Sequence, residues 1–457
     1  MIQKCHFIGI GGIGMSGLAK LMLERKVKVS GSDVAENRMI EGLVSNGAEV
    51  HIGHDAKYVT PGTTVVYSSG VGQENPEFQA ALKMECPILH RADLLAALAR
   101  EKKLLMAAGT HGKTTTAALL AAALRESGAQ PSFAVGGELK QYGTNALSGF
   151  GEHFVAEADE SDGSFLKYHP YGAIITNIGS DHIDAFGSRE ELVGAFGKFI
   201  DRVEEERALF WCGDNMFLSE LSPPGISYGF CDGCALRALN FKQEGWRLAF
   251  DAQFEGKVYR DIEAPLIGAH NALNLLAVFG MALCMGVEEE ALRAALKNFG
   301  GVARRCDVKE DGELMVVDDY AHHPTEISAT LHAVRQAVDE RRIIVAFQPH
   351  RYSRTRDCQG MYAGIFDEAD EVLVTEIYGA GEEPIEGISH EEIIEESRQV
   401  SDIPCRHVPR KALLSTLAEM VRPHDVVVTM GAGDITCVGG ALISEIKKKA
   451  LAGSASG

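Results

Sequence analysis

Short apolar runs alternate with amphipathic stretches along nearly the whole chain. In the first segment, Cys5–Ile10 and Val27–Ser30 have the pattern of buried strands, with a helix predicted over Met15–Glu24. A helical stretch at Ile40–Asn46, an extended one at Val50–Ile52 and a strand at Thr64–Ser68 follow. This rhythm implies a parallel sheet with helices on both faces. A second segment opens on the apolar strand Lys103–Ala108 and the Ala/Leu-rich helix Thr114–Ser127. Buried strands at Phe154–Ala158 and Gly172–Asn177 come next, then Trp246–Phe254 and Val258–Ile262 flanking Glu255-Gly256 as a hairpin, and a helix at Asn271–Cys284. The third segment begins near Arg304-Arg305. Its predicted strands are Leu314–Val317, Ile343–Phe347, Val372–Thr375 and Val426–Met430, with a helix at Thr325–Val338. Residues 451–457 are small and polar and are expected to be a disordered tail.

Composition narrows the picture. A chain of 457 residues exceeds one ordinary core, so two to four domains are expected. With 46% hydrophobic and 24% charged residues it has the balance of a soluble globular protein. A formal charge of −20 argues against nucleic acid or an anionic membrane as partner. It leaves room for an anionic substrate held in a local basic pocket. Lys4 is followed by a strand rather than by a secretory apolar run, and no apolar stretch is long enough to span a bilayer. A reducing cytoplasm is the expected location. Cys231-Asp232-Gly233-Cys234 is Cys-x-x-Cys in form, but with no second pair nearby free thiols in a loop are expected rather than zinc.

Candidate chemistry sits where predicted strands run into helices. Gly109-Thr110-His111-Gly112-Lys113-Thr114-Thr115 reads as a phosphate-binding loop: backbone N–H groups turn towards phosphate oxygens, Lys113 neutralises their charge, and the Thr114 hydroxyl suits magnesium. The strict pattern needs glycine at position 107, where this chain has Ala107. Gly9-Ile10-Gly11-Gly12-Ile13-Gly14 is a second glycine turn, with Asp33 about twenty residues on, where an acid meets a ribose hydroxyl. It fits a nucleotide diphosphate, a nicotinamide cofactor, or only a tight packing turn. Glu157 and His182 end two further strands and could meet near Thr114, whereas Asp159, Ser161 and Asp162 could merely cap a helix. Asn271 and Asn274 share one helix face, suiting an adenine edge or simple capping. Arg351 and Arg354 form a compact cationic pair for carboxylate or phosphate, and adjacent His322 and His323 make a poor metal site.

Taken in order, these blocks resemble the Mur ligases across nearly the whole chain. The resemblance rests on Gly-Ile-Gly-Gly-Ile-Gly-Met-Ser-Gly at 9–17, Ala-Gly-Thr-His-Gly-Lys-Thr-Thr-Thr at 108–116 and Glu-Ala-Asp-Glu-Ser-Asp-Gly-Ser-Phe-Leu at 157–166. Asp-Asp-Tyr-Ala-His-His-Pro-Thr-Glu at 318–326 and Gln-Pro-His-Arg-Tyr-Ser-Arg-Thr at 348–355 complete it. It implies an α/β protein of three domains: a Rossmann-like UDP-sugar domain (1–98), a central P-loop ATPase domain with a mixed sheet (99–303) and a Rossmann-like amino-acid domain (304–450). It further implies ATP and Mg2+ as cofactors and an acyl-phosphate route joining L-alanine to the carboxylate of UDP-N-acetylmuramate, in a monomer or weak homodimer whose domains close over the reactants. Gly109, Thr110, Gly112, Lys113, Thr114, Thr115, Asn271, Asn274 and Asp319 are carried over to ATP, and Thr114, Glu157 and His182 to metal. Gly11, Gly12, Ile13, Gly14, Asp33 and Ser69 go to the UDP-sugar. Lys113, His182, Arg305, His350, Arg351 and Arg354 go to catalysis.

Cys306, His90 and Gly179 depart from the family's usual residues, and Lys198 stands near the place of a carbamylated lysine in sister enzymes but is expected to be an ordinary surface residue. Three other functions remain open on sequence: a recycling ligase adding a tripeptide to the same UDP-sugar, a nicotinamide oxidoreductase, and a nucleotide-gated binding protein.

Overall fold

Three sheets organise the computed structural model, which describes residues 2–179 and 186–454. The chain divides into two compact units. One comprises residues 1–240, 250–264 and 273–300, the other residues 241–249, 265–272 and 301–457. The alternating pattern gives α/β architecture throughout.

The first sheet has five parallel strands in the order Glu49–Ile52, Lys28–Asp33, Lys4–Ile8, Thr64–Tyr67, Ile88–His90. Lys4–Ile8 is the central strand, and Cys5, His6, Phe7 and Ile8 are all fully buried. The buried His6 is satisfied by Ser30 Oγ at 2.9 Å and Glu77 Oε2 at 3.0 Å. Strand order reverses at this central strand, which opens a crevice beyond its carboxyl end. The strand stops at Ile8 rather than Ile10 because the Gly9 and Ile10 N–H groups both leave the ladder to donate to Ser32 O.

The second sheet has ten strands, in the order Lys257–Ala264, Arg247–Phe254, Leu236–Glu244, Ile226–Gly229, Leu209–Cys212, Gly172–Ile175, Lys103–Ala108, His153–Ala158, Ser132–Leu139, Thr144–Leu147. The pairing of Ser132–Leu139 with Thr144–Leu147 is antiparallel, so the sheet is mixed. Lys103–Ala108 lies between Gly172–Ile175 and His153–Ala158, parallel to both, with Ala107 opposite Glu157 and Ala108 opposite Ile175. That register brings three strand ends to one place.

The third sheet runs Asp307–Asp311, Met315–Asp319, Val426–Met430, Ile343–Phe347, Glu371–Val374, Cys405–His407. Asp319, Met430 and Phe347 are level across three parallel strands. Asp318, fully buried beside Asp319, accepts from Thr429 Oγ1 at 2.7 Å and Thr436 Oγ1 at 2.6 Å and so serves the core. The last helix, Thr436–Ser454, corrects the expectation of a tail disordered from residue 451: helix formers persist to Ala452, and the helix runs on past the first of the small residues. Among the described residues no helix is long and apolar enough to cross a membrane.

Candidate functional site

The phosphate loop is built by the carboxyl end of Lys103–Ala108 and the helix Lys113–Glu126. Gly109 (φ 130°) and Gly112 (φ 83°) adopt backbone that a side chain strains. Ala107 is still inside the strand, fully paired, which explains why the turn does not need glycine there. Asn177, just past the neighbouring strand, pins the loop: its carbonyl accepts from Thr110 N at 3.0 Å and its Oδ1 from His111 N at 2.9 Å. Gly179 N donates to Thr110 Oγ1 at 2.7 Å, and a Cβ on Gly179 would press Thr110 Cγ2 at 3.1 Å. The small residue at this departure from the family pattern therefore has a packing reason.

Lys113 Nζ donates to Gly109 O at 2.6 Å and to both carboxylate oxygens of Glu160, at 2.9 and 2.8 Å. Burial alone would lower the Lys113 pKa, but Glu160 and Asp159 outweigh it and hold the ammonium above its usual range. Burial pushes Glu160 up to about 7 against the pull of Lys113, with Asp159 adding to the rise. Burial would raise Asp159 as well, yet Lys113 and Arg91 outweigh it and hold that carboxyl at about 2. Glu160 stands within an acidic run of the sequence that does not reveal its partner. Thr114 Oγ1 donates to Glu157 Oε2 at 2.9 Å, and Gly136 N donates to Glu157 Oε1. A Cβ on Gly136 would stand 2.9 Å from Glu157 Oε1 and 3.2 Å from Thr114 Oγ1. Thr115 and Asn274 are buried, and a Cβ on Gly112 would meet Asn274 Oδ1 at 3.0 Å. Asn271 is also buried, but capping does not explain it: the helix starts at Ala269, and its Nδ2 donates to Ile267 O at 2.8 Å. His182 lies outside the described residues.

At the first glycine turn, Asp33 Oδ2 accepts from Gly11 N at 2.8 Å and Asn37 Nδ2 donates to Gly11 O at 3.2 Å. Asp33 therefore braces the turn from the strand end at which a ribose-binding acid is expected. Gly12 caps the helix Ile13–Glu24, whose start brings Ile13 and Gly14 to the same crevice. Ser69 Oγ is hydrogen-bonded to Asp162 and, at 3.0 Å, to His90 Nε2. Arg91 donates to Asp159 at 2.7 Å and lies 3.6 Å from Asp162. These two acids thus serve Arg91 and Ser69. Asp162 also braces the turn at Ser164, by accepting from Ser164 N at 2.9 Å. His90 caps its own helix, with Asp93 returning the bond to His90 N at 3.2 Å.

In the other unit, Asp319 accepts from Cys306 N at 2.6 Å and Ala321 N at 2.7 Å, and burial raises its pKa against the pull of Arg305. Arg305 lies 4.9 Å from the Tyr320 ring centroid. The compact Arg351–Arg354 pair expected from spacing is not what forms. Arg351 (φ 70°) precedes the helix Tyr352–Asp357 and its Nε donates to Glu382 at 2.5 Å, whereas Arg354 reaches back to His350 Nδ1 at 3.2 Å. His323 caps the helix Pro324–Val338 and His322 Nδ1 meets Tyr320 O at 2.9 Å, so the adjacent histidines serve different ends. Lys198 is exposed on the helix Arg189–Ile200.

Burial, joined by Arg354 and His322, lowers His350 to about 3, and burial lowers His322 to about 4 despite Glu326. Both bind protons more weakly folded than unfolded. Their contribution is therefore fully present above pH about 6.5 and is lost as pH falls towards 4 and 3. The melting temperature is expected to fall over that window, and His350→Gln to flatten part of the fall; thermal melts from pH 7 to 4 check this.

The chain matches three family descriptions in series: Mur ligase family, catalytic domain (residues 4–103), Mur ligase middle domain (107–282) and Mur ligase, glutamate ligase domain (304–433). A UDP-N-acetylmuramate--L-alanine ligase of Protochlamydia amoebophila is 51% identical over 441 residues, spanning 96% of this chain and 97% of that relative. A bifunctional enzyme MurC/Ddl of Chlamydia caviae is 44% identical over 98% of this chain but 55% of its own length, so this chain spans about half of that protein. The crystal structure of UDP-N-acetylmuramate-alanine ligase MurC from Thermotoga maritima has a TM-score of 0.84 at 28% identity, covering 98% of this chain and 99% of that one.

Proposed function

The chain belongs to the Mur ligase family, and on that ground we propose that it is an ATP-dependent ligase joining L-alanine to the carboxylate of UDP-N-acetylmuramate. The observation that carries the reading is the 51% identity to an L-alanine ligase over almost the full length of both chains. The phosphate loop, with Lys113, Thr114 and Glu157 at one set of strand ends, supplies the chemistry that this activity needs.

A muramate carboxylate oxygen attacks the γ-phosphorus of ATP, ADP leaves, and the alanine amine then attacks the acyl carbonyl and expels phosphate. The two reacting groups are both anions. Lys113 lowers their repulsion as a fixed charge, and the loop N–H groups orient the phosphates without reorganising during the step. Thr114 and Glu157 present hard oxygens in a space that a side chain at position 136 would fill, which suits Mg2+. When bound, that ion would offset charge on the phosphates; His182 is assigned to the same task. Asn271, Asn274, Arg305 and Asp319 are assigned to ATP. His350, Arg351 and Arg354 are assigned to the amino acid and acyl phosphate, with Arg354 the freer of the two arginines to meet an anion. Gly11, Gly12, Ile13, Gly14, Asp33 and Ser69 shape the UDP-sugar crevice, Asp33 through the turn it braces. Domain boundaries near residues 98, 303 and 450, a cytoplasmic location and a monomeric or weakly dimeric state belong to the same reading.

ADP release with UDP-N-acetylmuramate and a panel of acceptors tests it. L-alanine is expected to support the fastest turnover. Turnover that depended on the tripeptide and ignored L-alanine would place the chain with the recycling ligases instead.

A further inference from the structure

Cys231 and Cys234 take no part in the chemistry above. They bracket Asp232-Gly233 in the turn between the strands Ile226–Gly229 and Leu236–Glu244. Cys234 N donates to Cys231 O at 3.3 Å. That hydrogen bond closes a β-turn and keeps the two Cα atoms within about 7 Å, against roughly 4.4–6.8 Å in a disulfide. The two Sγ atoms are 3.0 Å apart, so the thiols face one another. Cys231 is exposed and Cys234 half-buried, so one thiol meets solvent while the other waits behind it.

The surroundings hold this arrangement. Asp214 accepts from Phe230 N at 2.8 Å and from Cys231 N at 3.1 Å, fixing the backbone on which Cys231 sits. Arg237 Nε donates to Phe230 O at 3.1 Å, and Arg237 pairs with Asp232 across the turn. A Cβ on Gly213 would come 2.6 Å from Cys234 Sγ, and one on Gly229 would come 2.9 Å from it. The end of one strand and the turn after its neighbour thus leave out side chains where Cys234 lies. Cys212, on the adjacent strand, is buried, and burial pushes its thiol up to about 12, which makes it inert.

Asp214, Cys231 and Cys234 are also, among the described residues, the one group of three His, Cys, Asp or Glu side chains close enough to share a metal ion. The geometry suits an ion less well. Both Asp214 oxygens already accept backbone N–H groups, and two thiolates on one tetrahedral zinc stand about 3.8 Å apart, given Zn–S of about 2.3 Å.

We propose that Cys231 and Cys234 form a thiol–disulfide exchange site that reacts with low-molecular-weight disulfides of the glutathione type and closes to an intramolecular disulfide. The Cys231 thiolate attacks one sulfur of the small disulfide, forming a mixed disulfide and releasing one small thiol. The Cys234 thiolate then attacks Cys231 Sγ, forming the Cys231–Cys234 bond and releasing the second small thiol. Two protein thiols lose two electrons and two protons; the small disulfide gains both and leaves as two thiols. Burial and the Cys231 thiol raise the Cys234 pKa, so it deprotonates late but is strongly nucleophilic once it does.

Equilibrating the full-length protein across ratios of reduced glutathione to glutathione disulfide tests this, with acid quenching, alkylation and mass spectrometry of the peptide containing both residues. The two residues are expected to lose their alkyl groups together, at one midpoint, with the peptide lighter by two hydrogens. Cys234→Ser should stop at a Cys231–glutathione adduct, and exposed Cys437 provides the single-thiol comparison. Alkylation of both residues at every ratio would overturn the proposal. So would independent glutathione adducts at each, or a tightly held zinc that blocks alkylation in the reduced protein. The wild-type titration needs no variant to fold.

Discussion

Lys113→Ala is expected to lower kcat/KM for ATP by about 10²–10³-fold, the usual loss when one fixed charge or donor is removed from a developing anion. The same change has a second consequence. Glu160, buried beside Lys113, loses the cation to which both its oxygens are bonded. Removing one partner of a buried pair costs about 3–5 kcal/mol if the remaining charge has no escape. Glu160 has one, because burial already raises its pKa to about 7 and losing Lys113 raises it further. A carboxyl whose folded pKa is raised binds its proton more tightly in the folded state. The variant should therefore be stable at low pH and lose stability as pH rises through 7 and beyond. Lys113→Ala combined with Glu160→Gln should recover that stability and none of the turnover. Steady-state kinetics and denaturant unfolding at pH 6 and pH 9 separate the two effects. Near-normal turnover in the single variant would remove the phosphate loop from the mechanism.

Gly109→Ala should be nearly as damaging for a different reason. At φ 130° a side chain strains the backbone, at about 1–3 kcal/mol. The added Cβ would also stand 2.8 Å from Asn177 O and 2.9 Å from Asn177 N, and closer still to Thr176 Oγ1. Asn177 is the residue that pins the loop, so neither side can yield without moving the loop N–H groups assigned to phosphate. A displacement near 1 Å costs about 10²-fold in rate. Ala107→Gly, which restores the general loop pattern, should leave turnover within about twofold and destabilise the strand by about 0.5–1 kcal/mol. Kinetics and thermal melts of the two variants check this. A harmless Gly109→Ala would mean that the turn does not hold phosphate as described.

The contrast between these two positions shows how much the sequence could tell. Lys113, Thr114 and Glu157 were legible because strand, turn and helix are local, and because Glu157 needs only one register step to face Ala107. The ion pair of Lys113 with Glu160 was not legible, since it depends on how the chain turns after Ala158. The strand Ser132–Leu139 is not legible in the sequence, for a reason tied to the site. Its Gly136-Gly137 pair reads as a loop, yet a side chain at Gly136 would press on Glu157 and Thr114. A local rule is broken there, and the absent side chain leaves space beside Glu157 and Thr114. Arg351 and Arg354 have the spacing of neighbours on one helix face. Arg351, however, stands before the helix and is captured by Glu382 from thirty-one residues downstream, a partner no local pattern reveals. In the same way the position of Asp33 at the end of its strand does not reveal that it braces Gly11.

The central claim is that Lys113 and its loop serve the attack of a carboxylate, and not of water, on the γ-phosphate. Turnover of UDP-N-acetylmuramate labelled with oxygen-18 in its carboxylate, with ATP and L-alanine, measures this directly. The mechanism predicts one labelled oxygen in each phosphate released, carried there through the acyl phosphate. Phosphate released without label would contradict it.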